Sequence, residues 1–327
     1  MNAKITSIGV YLPENEVTNL YFEKILDTSD AWIRERTGIV KRYFSADDEF
    51  TGDMCVKAAR NLAETYHKDL SDVDFILVAT TTPEHTMPNV ASQVQARLGI
   101  NGNCGVMDID TACSGFCYAL MTAQGLIAAG TCRKVLVFGA DTMSKIIDFT
   151  DRSSCILFGD GAGCVLMEAS EENAVFRGMT GTDGNYGKDL YVSTRATRLD
   201  GVDIENNGKL HQNGRAVYRW AVTTLTNNLA LLAEKNGKTL RDIDCFIPHS
   251  ANYRMLESVF TSLDIPLEDC VESVRECGNT CAASIPLAWY KGLQDGRIRP
   301  GSQLMLIGFG GGFTYAGLCV ENCIEKP

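Results

Sequence analysis

The chain repeats one short segment, Leu70-Ser-Asp-Val-Asp-Phe-Ile-Leu-Val-Ala-Thr-Thr-Thr82, as Leu240-Arg-Asp-Ile-Asp-Cys-Phe-Ile-Pro-His-Ser-Ala-Asn252. Both copies place Leu, Asp, Val or Ile, and Asp in one register before an apolar run. A short apolar run that is bounded by polar residues is typical of a buried strand. The repeat therefore predicts that one structural unit occurs twice.

The sequence downstream of each copy follows the same order of elements. Small residues begin an apolar helix, a polar turn with glycine ends it, and a strand follows at 134–139 in one half and 303–308 in the other. Strands that alternate with helices form parallel sheets with both faces covered. One short similarity arises easily by chance, but two in the same order indicate a duplicated, layered α/β fold.

The length of 327 residues suits two domains or two fused halves. We place the boundary in the polar stretch 168–174, which gives an N-terminal half of 1–170 and a C-terminal half of 171–327. The segment 181–215 is rich in Gly, Asp, Asn and Arg and shows little periodicity. Long segments of this kind are commonly functional or mobile, so we expect a cap or an entrance loop there.

The composition, with 45% hydrophobic and 22% charged residues, is that of a globular protein. No apolar run reaches the length of a membrane span, and the first ten residues suggest a strand and not a secretory signal. We therefore expect a cytoplasmic protein without a membrane partner. Thirteen cysteines, an odd number without a signal peptide, predict reduced thiols. Because no CxxC pair occurs and the four histidines are far apart, no metal is expected.

The net charge of −11 argues against a nucleic-acid partner, since phosphate recognition needs a positive field. An acidic chain is still compatible with a small basic patch around one binding mouth. The candidates for such a patch are Arg215, Arg219 and Arg254.

Cys113 is the first candidate for chemistry. It lies in Asp-Ile-Asp-Thr-Ala-Cys-Ser-Gly-Phe (108–116), after a short apolar stretch and before a periodic apolar segment that predicts a buried helix. A thiol at a helix N-terminus is close to unpaired N–H groups that favour the thiolate, which is the nucleophilic form. Taken alone, Cys113 is more typical of a small apolar residue in a core.

Two further candidates lie in the second half. His249 ends an apolar strand, at the edge of the sheet where α/β proteins bind ligands, although a single buried histidine is more often structural. Asn279 follows Glu276-Cys-Gly in a loop of small residues that leads into a helix, where asparagine also serves as a helix cap.

A glycine-rich segment, 308–317, follows the last predicted strand. Its spacing is not that of a dinucleotide-binding fingerprint, and it lacks the Gly-Lys-Ser/Thr of a phosphate-binding loop. Consecutive glycines instead allow the backbone to approach a ligand closely and to donate an N–H to it, as in an oxyanion hole.

Together these segments resemble the β-ketoacyl-acyl-carrier-protein synthase III family, the initiating condensing enzymes of fatty acid synthesis within the thiolase superfamily. The resemblance covers essentially the whole chain. Its motifs are Asp27-Thr-Ser-Asp-Ala-Trp-Ile-Arg-Glu-Arg-Thr-Gly38, Thr111-Ala-Cys-Ser-Gly-Phe116, Asp151-Arg-Ser-Ser-Cys-Ile-Leu-Phe-Gly-Asp-Gly-Ala-Gly163, His249-Ser-Ala-Asn252, Gly278-Asn-Thr280 and Gly310-Gly-Gly312.

The resemblance implies an αβαβα sandwich, a homodimer, and a catalytic group of Cys113, His249 and Asn279. It implies that Cys113 accepts an acyl group from an acyl-CoA, that malonyl-acyl-carrier protein is then decarboxylated, and that 3-oxoacyl-acyl-carrier protein is released. The N–H groups of Cys113 and Gly311 form the oxyanion hole in this scheme. No cofactor is needed, because CoA enters only as the thioester substrate.

The resemblance also assigns binding residues. It implies CoA-binding roles for five residues, with Trp32 and Arg152 on either face of the adenine: Thr28, Trp32, Arg36, Arg152 and Asn252. It places Arg219 and Arg254 at the docking site of the carrier protein, and Met87 and Phe309 at the acyl pocket. Without it, a core tryptophan and an Asp151–Arg152 surface ion pair are the simpler interpretations.

Four positions depart from the commonest family pattern. We expect Ser114, Ser250 and Cys281 to be small or peripheral changes. Met87 stands where the family often has a bulky aromatic side chain near the partner's acyl pocket. Because methionine is pliable, we expect primers longer or more branched than acetyl to be accepted.

Two other functions remain open. A sister enzyme on the same scaffold transfers the acyl group to another nucleophile or condenses substrates of a specialised pathway. A binding or structural protein with an inert Cys113 is the second alternative. A papain-like hydrolase also uses Cys, His and Asn, but the duplicated α/β pattern and the glycine loop argue against it.

Overall fold

The computed structural model describes residues 1–327 and contains fifteen strands and nine α-helices. The strands are β1 (Asn2–Tyr11), β2 (Asn15–Thr18), β3 (Lys41–Phe44), β4 (Phe75–Ala79), β5 (Gly105–Ile109), β6 (Lys134–Asp141), β7 (Gly161–Ser170), β8 (Val175–Thr182), β9 (Leu190–Val192), β10 (Arg198–Leu199), β11 (Val202–Asp203), β12 (Leu210–Gln212), β13 (Cys245–Pro248), β14 (Gln303–Gly310) and β15 (Thr314–Glu321). The α-helices are α1 (Asn19–Glu23), α2 (Asp30–Thr37), α3 (Thr51–Tyr66), α4 (Val90–Leu98), α5 (Gly115–Ala128), α6 (Gly214–Lys235), α7 (Tyr253–Ser262), α8 (Val274–Cys277) and α9 (Ser284–Gln294). The apolar runs of the two repeated segments are β4 and β13, as predicted.

The first half forms a five-stranded sheet in the order β1-β7-β6-β4-β5. Strand β4 pairs in parallel with both β5 and β6, but β7 runs antiparallel to β6 and to β1. The expectation of purely parallel sheets is therefore wrong for the β1–β7 side. The loop between β6 and β7 returns the chain directly beside β6 without the crossover helix that usually connects parallel strands, so the two strands are antiparallel.

The second half repeats this arrangement as β13-β14-β15-β8. Strands β13 and β14 are parallel, whereas β15 is antiparallel to β14 and to β8. The position equivalent to β5 is reduced to a single parallel bridge between Phe246 and Cys270. The two sheets thus have the same strand order, and the duplicated architecture predicted from the sequence is confirmed.

The alternation of side chains along the strands builds five layers. In β4, Leu77 points to the central layer, whereas Ile76 and Val78 face α3 and α4. The central layer consists of α5 and α9, whose apolar side chains, such as Phe116 and Trp289, share one core with both sheets. Helices α6 and α7 cover the outer face of the second sheet. The order helix–sheet–helix–sheet–helix is the thiolase-like αβαβα sandwich.

The link between the two sheets is short, because β7 ends at Ser170 and β8 begins at Val175. The segment expected to be a cap contains the short strand pairs β9–β12 and β10–β11, and α6 begins only at its end, at Gly214. Several of its residues line the cavity described below, including Leu190, Tyr191 and Leu210. None of the helices combines the length with the apolar composition that a membrane span requires.

Candidate active site

Cys113 lies at the bottom of a large cavity, where the chain passes from β5 into the central helix α5. A 3₁₀ turn, Ala112–Ser114, precedes α5, and Ala112 has a φ of +48°. The residue is only 8% exposed, and its sulfur faces the cavity. Strand β14 passes so close that a Cβ added at Gly310 would lie 2.8 Å from the Cys113 Cβ. Glycine at 310 is therefore required by the contact of the two backbones.

The cavity has a volume of about 1760 Å³, above the range of about 300–1,000 Å³ that is usual for small-molecule sites. A space of this size suits an extended substrate. Nine of the residues that the sequence assigned to the site line it: Trp32, Arg36, Cys113, Arg219, His249, Asn252, Asn279, Phe309 and Gly311. Four do not: Thr28, Met87, Arg152 and Arg254.

His249 directly follows β13 and is held from three sides. Its N–H donates to Ile307 O at 2.8 Å, its Nδ1 lies 2.7 Å from Ser284 Oγ, and the Phe309 ring packs edge-on at 5.1 Å. Ser284 Oγ also accepts the Ser250 N–H at 3.3 Å, and its hydroxyl proton is directed to His249 Nδ1 when the imidazole proton is on Nε2. In this tautomer Nε2 carries the proton and is a donor toward the cavity.

Asn279 lies at the turn that leads into α9. Its N–H donates to Leu157 O at 2.8 Å, and its Oδ1 accepts the Cys281 N–H at 2.9 Å. The carboxamide is thereby oriented, and its Nδ2 donates no hydrogen bond within the protein. Asn279 thus caps the turn, as the alternative interpretation expected, while its NH₂ group remains available in the cavity.

Cys281 contacts the candidate nucleophile directly. It was expected to be a small or peripheral change, and its position is not peripheral, because its Sγ lies 3.4 Å from Cys113 Sγ. The pKa of the Cys113 thiol is lowered well below its ordinary value, first because Cys281 donates a hydrogen bond to it and further because of His249, while burial opposes this. The pKa of Cys281 is correspondingly raised by this hydrogen bond and by burial. Cys113 is therefore the thiolate of the pair and Cys281 the thiol.

Asp141, at the end of β6, supports the site from behind and was also missed. Its carboxylate accepts hydrogen bonds from Thr81 N at 2.8 Å and from Ala282 N at 3.0 Å, and from the Thr80 and Thr82 hydroxyls. These bonds join the first half to the turn that carries Cys281. Burial raises the pKa of Asp141 to about 6. A buried carboxylate at the end of a strand has no short sequence pattern by which it could have been found.

This raised pKa predicts how stability depends on pH. Because the pKa of Asp141 in the folded chain is about 6 instead of the ordinary 3.8, the folded state holds this proton more tightly than the unfolded state. The stabilisation is present at about pH 4 and is lost as the pH rises through about 6, by roughly 3 kcal/mol in total. We therefore expect the difference between the unfolding free energies of the wild type and Asp141→Asn to decrease by about this amount as the pH rises over this range.

The measurement is denaturant unfolding of both chains from about pH 4 to about pH 7. Asp141→Asn also loses a hydrogen-bond acceptor, but this loss lowers stability equally at every pH and does not affect the change of the difference with pH. Asp69→Asn is the control, since the Ser71 N–H lowers the pKa of Asp69 and its effect has the opposite sign. A wild-type minus Asp141→Asn difference that stays constant with pH contradicts the prediction.

The residues assigned to CoA lie around α2. Arg152 stacks on Trp32 with its Cζ 5.2 Å from the ring, and its Nη1 donates to Asp27 O at 2.6 Å. A purine between the two groups needs about 7 Å, so the pair must part to admit one. The Thr28 hydroxyl is buried without a partner. Asn252 caps α7 through the Arg254 N–H and also donates to the Arg36 carbonyl.

The basic residues differ in their availability. Arg215 and Arg219 are exposed, line the cavity and form no ion pair. Arg254 instead pairs with Glu257 at 3.0 Å and donates to Glu35 O at 3.0 Å.

Met87 is 83% exposed on the surface of the chain. No group of three or more His, Cys, Asp or Glu side chains is arranged to hold a metal ion.

The chain is similar to proteins of known class over nearly its full length. β-Ketoacyl-[acyl-carrier-protein] synthase III 2 of Halalkalibacterium halodurans is 47% identical over 320 residues, which cover 98% of this chain and 96% of the relative. The crystal structure of β-ketoacyl-[acyl carrier protein] synthase III from Thermus thermophilus superposes with a TM-score of 0.94 at 40% identity, covering 97% of this chain and 98% of that one. The priming β-ketosynthase of the R1128 polyketide biosynthetic pathway gives a TM-score of 0.92 at 31% identity, covering 100% of this chain and 97% of that one.

The five-layered fold with a cysteine at the start of a central helix defines the class of thiolase-like condensing enzymes. Two family models match the chain, 3-oxoacyl-[acyl-carrier-protein (ACP)] synthase III over residues 107–184 and the C-terminal model of that family over residues 233–322. The chain belongs to the 3-oxoacyl-[acyl-carrier-protein] synthase III family.

Proposed function

We propose that this chain catalyses the decarboxylative condensation of an acyl-CoA primer with malonyl-acyl-carrier protein, giving 3-oxoacyl-acyl-carrier protein, CoA and CO₂. The observation that carries the proposal is the convergence of three groups in one cavity: a thiol with a lowered pKa at Cys113, a free donor at His249 Nε2 and a free donor at Asn279 Nδ2. Membership of the family supports the same reaction.

In the first step the Cys113 thiolate attacks the thioester carbonyl of the acyl-CoA. The carbon–sulfur bond to CoA breaks, CoA leaves as a thiolate that takes up a proton, and the acyl group stays on Cys113. The tetrahedral oxyanion is held by the N–H groups of Cys113 and Gly311, the latter without an acceptor in the protein. The position of Gly311 beside the turn that carries Cys113 supports this role.

In the second step malonyl-acyl-carrier protein occupies the cavity and loses CO₂. The electron pair of the broken carbon–carbon bond forms an enolate, whose thioester oxygen accepts hydrogen bonds from His249 Nε2 and Asn279 Nδ2. A carboxamide suits this role because it donates without titrating. The carbanion then attacks the acyl carbonyl, the new carbon–carbon bond forms, and Cys113 leaves as the thiolate. The reaction balances without a redox cofactor or a metal.

Both substrates bind at this same cavity. CoA reaches Cys113 along Trp32, Arg36 and Asn252, with the adenine between Trp32 and Arg152 and the Thr28 hydroxyl along the path. The carrier protein docks at the exposed side of the opening, where Arg219 supports binding of an acidic partner despite the acidic charge of the whole chain. Arg254 takes part after exchanging its bond to Glu257 for one to the carrier protein.

The assembly and location are part of the proposal. The enzyme acts in the cytoplasm as a homodimer, in which the exposed Met87 side chain contacts the partner and borders its acyl pocket, while Phe309 borders the pocket of its own chain. The 83% exposure of this methionine in the single chain supports such a contact. Its pliability favours short branched primers as well as acetyl.

The test is incubation of the purified chain with acetyl-CoA or isobutyryl-CoA, first alone and then with malonyl-acyl-carrier protein. We expect the peptide that contains Cys113 to gain the mass of the acyl group, and the product to be the 3-oxoacyl carrier protein. A chain that takes up no acyl group from any primer contradicts enzymatic function. Acylation followed by transfer to another acceptor indicates the alternative, a priming enzyme of a specialised pathway, which the similarity to the R1128 ketosynthase favours.

A further inference from the structure

The Cys281 sulfur lies against the reactive sulfur, although the proposed reaction gives it no step. The two Sγ atoms are 3.4 Å apart, and both residues line the cavity that admits the substrate. All thirteen cysteines are free thiols. A disulfide needs a separation of about 2.05 Å, so the two sulfur atoms must approach each other by a little more than 1 Å to form the bond.

The pair arises from the duplication of the fold. The turn Ala112–Ser114 before α5 and the turn Cys281–Ala283 before α9 are equivalent, and each begins with a residue at positive φ, +48° at Ala112 and +49° at Cys281. The starts of the two central helices meet where the halves join. Cys281 occupies the position of Ala112 in its own half, so its side chain points toward the sulfur of the other helix start.

The local chemistry favours oxidation at Cys113 and resolution by Cys281. Hydroperoxides attack thiolates, and the lowered pKa of Cys113 supplies one within a cavity open to small solutes. The resulting sulfenic acid condenses with a neighbouring thiol, and Cys281 is the thiol in contact. A serine at 281 would donate the same hydrogen bond but would not form a disulfide.

We propose that Cys281 is a resolving cysteine, and that hydrogen peroxide or an organic hydroperoxide converts the free enzyme into a reversibly inactive form with a Cys113–Cys281 disulfide. The loss of condensation in this proposal rests on the proposed function, in which Cys113 carries the acyl group. The formation of the disulfide itself does not.

The Cys113 thiolate attacks one peroxide oxygen and the O–O bond breaks, which gives Cys113 sulfenic acid. The departing hydroxide, or the alkoxide of an organic hydroperoxide, takes up a proton and leaves as water or as the alcohol. Cys281 sulfur then attacks Cys113 sulfur, the S–OH bond breaks, and the hydroxide leaves with the Cys281 proton as water. Two electrons pass from the two sulfurs to the peroxide. A dithiol reductant returns them by thiol–disulfide exchange and becomes a disulfide itself.

Two consequences distinguish this reversible disulfide from irreversible oxidation of Cys113. The disulfide stops Cys113 from advancing to the sulfinic acid, which thiols do not reduce. An acyl group on Cys113 blocks the attack on peroxide, so the charged enzyme is resistant and the free enzyme is sensitive.

The experiment treats the full wild-type chain and Cys281→Ser with hydrogen peroxide, blocks the remaining thiols, and maps the peptides by mass. For the wild type we expect a linked pair of peptides that contain Cys113 and Cys281, loss of condensation in parallel, and full recovery with dithiothreitol. For Cys281→Ser we expect no link, a sulfinic acid at Cys113, and no recovery relative to its own untreated rate. Acylation with an acyl-CoA before peroxide should prevent the link.

Cys117→Ala is the matched control, because Cys117 is fully buried on α5 outside the cavity and should leave the reversible response intact. Peroxide treatment of the wild type that yields the sulfinic acid at Cys113 with Cys281 still a free thiol overturns the proposal. Acylation of untreated enzyme is scored separately. A linked pair in a chain that accepts no acyl group therefore contradicts the proposed function and leaves the disulfide standing.

Discussion

Replacement of Cys113 by serine is expected to abolish acyl uptake and to lower the rate of condensation by about 10⁴–10⁶-fold, the scale on which enzymes lose activity when a covalent nucleophile is removed. Serine is close to cysteine in size and keeps the same Cβ beside Gly310, so the contact with β14 is preserved. The hydroxyl is not ionised under conditions in which the Cys113 thiol, with its lowered pKa, is a thiolate. The effect is therefore chemical and not one of packing.

Two measurements check this prediction. The first is the mass of the whole chain after incubation with acetyl-CoA, which should increase for the wild type and for Cys117→Ala but not for Cys113→Ser. Burial raises the pKa of Cys117 to about 12, so this neighbour on α5 offers no thiolate. The second is alkylation by iodoacetamide, which should persist in the wild type at pH values below the ordinary cysteine pKa of about 8.5. Acyl uptake by Cys113→Ser would place the nucleophile elsewhere.

Replacement of Asn279 by aspartate is expected to lower the rate of decarboxylation and condensation by about 10²–10³-fold, the usual cost of losing one donor to a developing oxyanion. Aspartate retains an oxygen that accepts the Cys281 N–H, so the turn before α9 is preserved. It replaces the NH₂ donor by an oxygen and places negative charge where the enolate forms. Acylation of Cys113 should still run to completion, although more slowly, because a nearby carboxylate raises the pKa of a thiol.

The two steps are separated by first acylating the enzyme to completion and then adding malonyl-acyl-carrier protein. Asn279→Ala should lower the rate of condensation by a similar factor. It should also lower the stability of the fold, since it removes the acceptor for the Cys281 N–H. Asn103→Asp, at an exposed position outside the cavity, controls for the added charge. Normal condensation by Asn279→Asp would mean that Asn279 only holds the turn.

The sequence was sufficient to predict the duplication, because a repeated strand pattern reflects buried positions that recur in each half. It also singled out Cys113, His249 and Asn279, since each follows a recognisable local pattern at the end of a strand or the start of a helix. Strand direction on the β1–β7 side was not accessible, because an apolar strand gives no sign of the direction of its neighbour.

The residues that were missed act across distances that the sequence does not report. Ser284 orients His249 from 35 positions away, and Cys281 meets Cys113 from 168 positions away. Asp141 binds N–H groups from two other loops. The contacts of Cys281 and Asp141 depend on how the two halves are docked, and the contact of Ser284 depends on how the start of α9 packs beside His249 within the second half. A local sequence pattern contains no information on either packing.

The central layer has a consequence for how this molecule reaches its active form. Helices α5 and α9 bury their apolar faces between the two sheets, so either half expressed as a fragment would present a bare inner surface to water. We therefore expect the whole chain to unfold as one cooperative unit in spite of its internal symmetry. Catalytic activity then reports on complementation between the halves, because the Cys113 sulfur comes from one half and the proposed donors to the enolate, His249 and Asn279, come from the other.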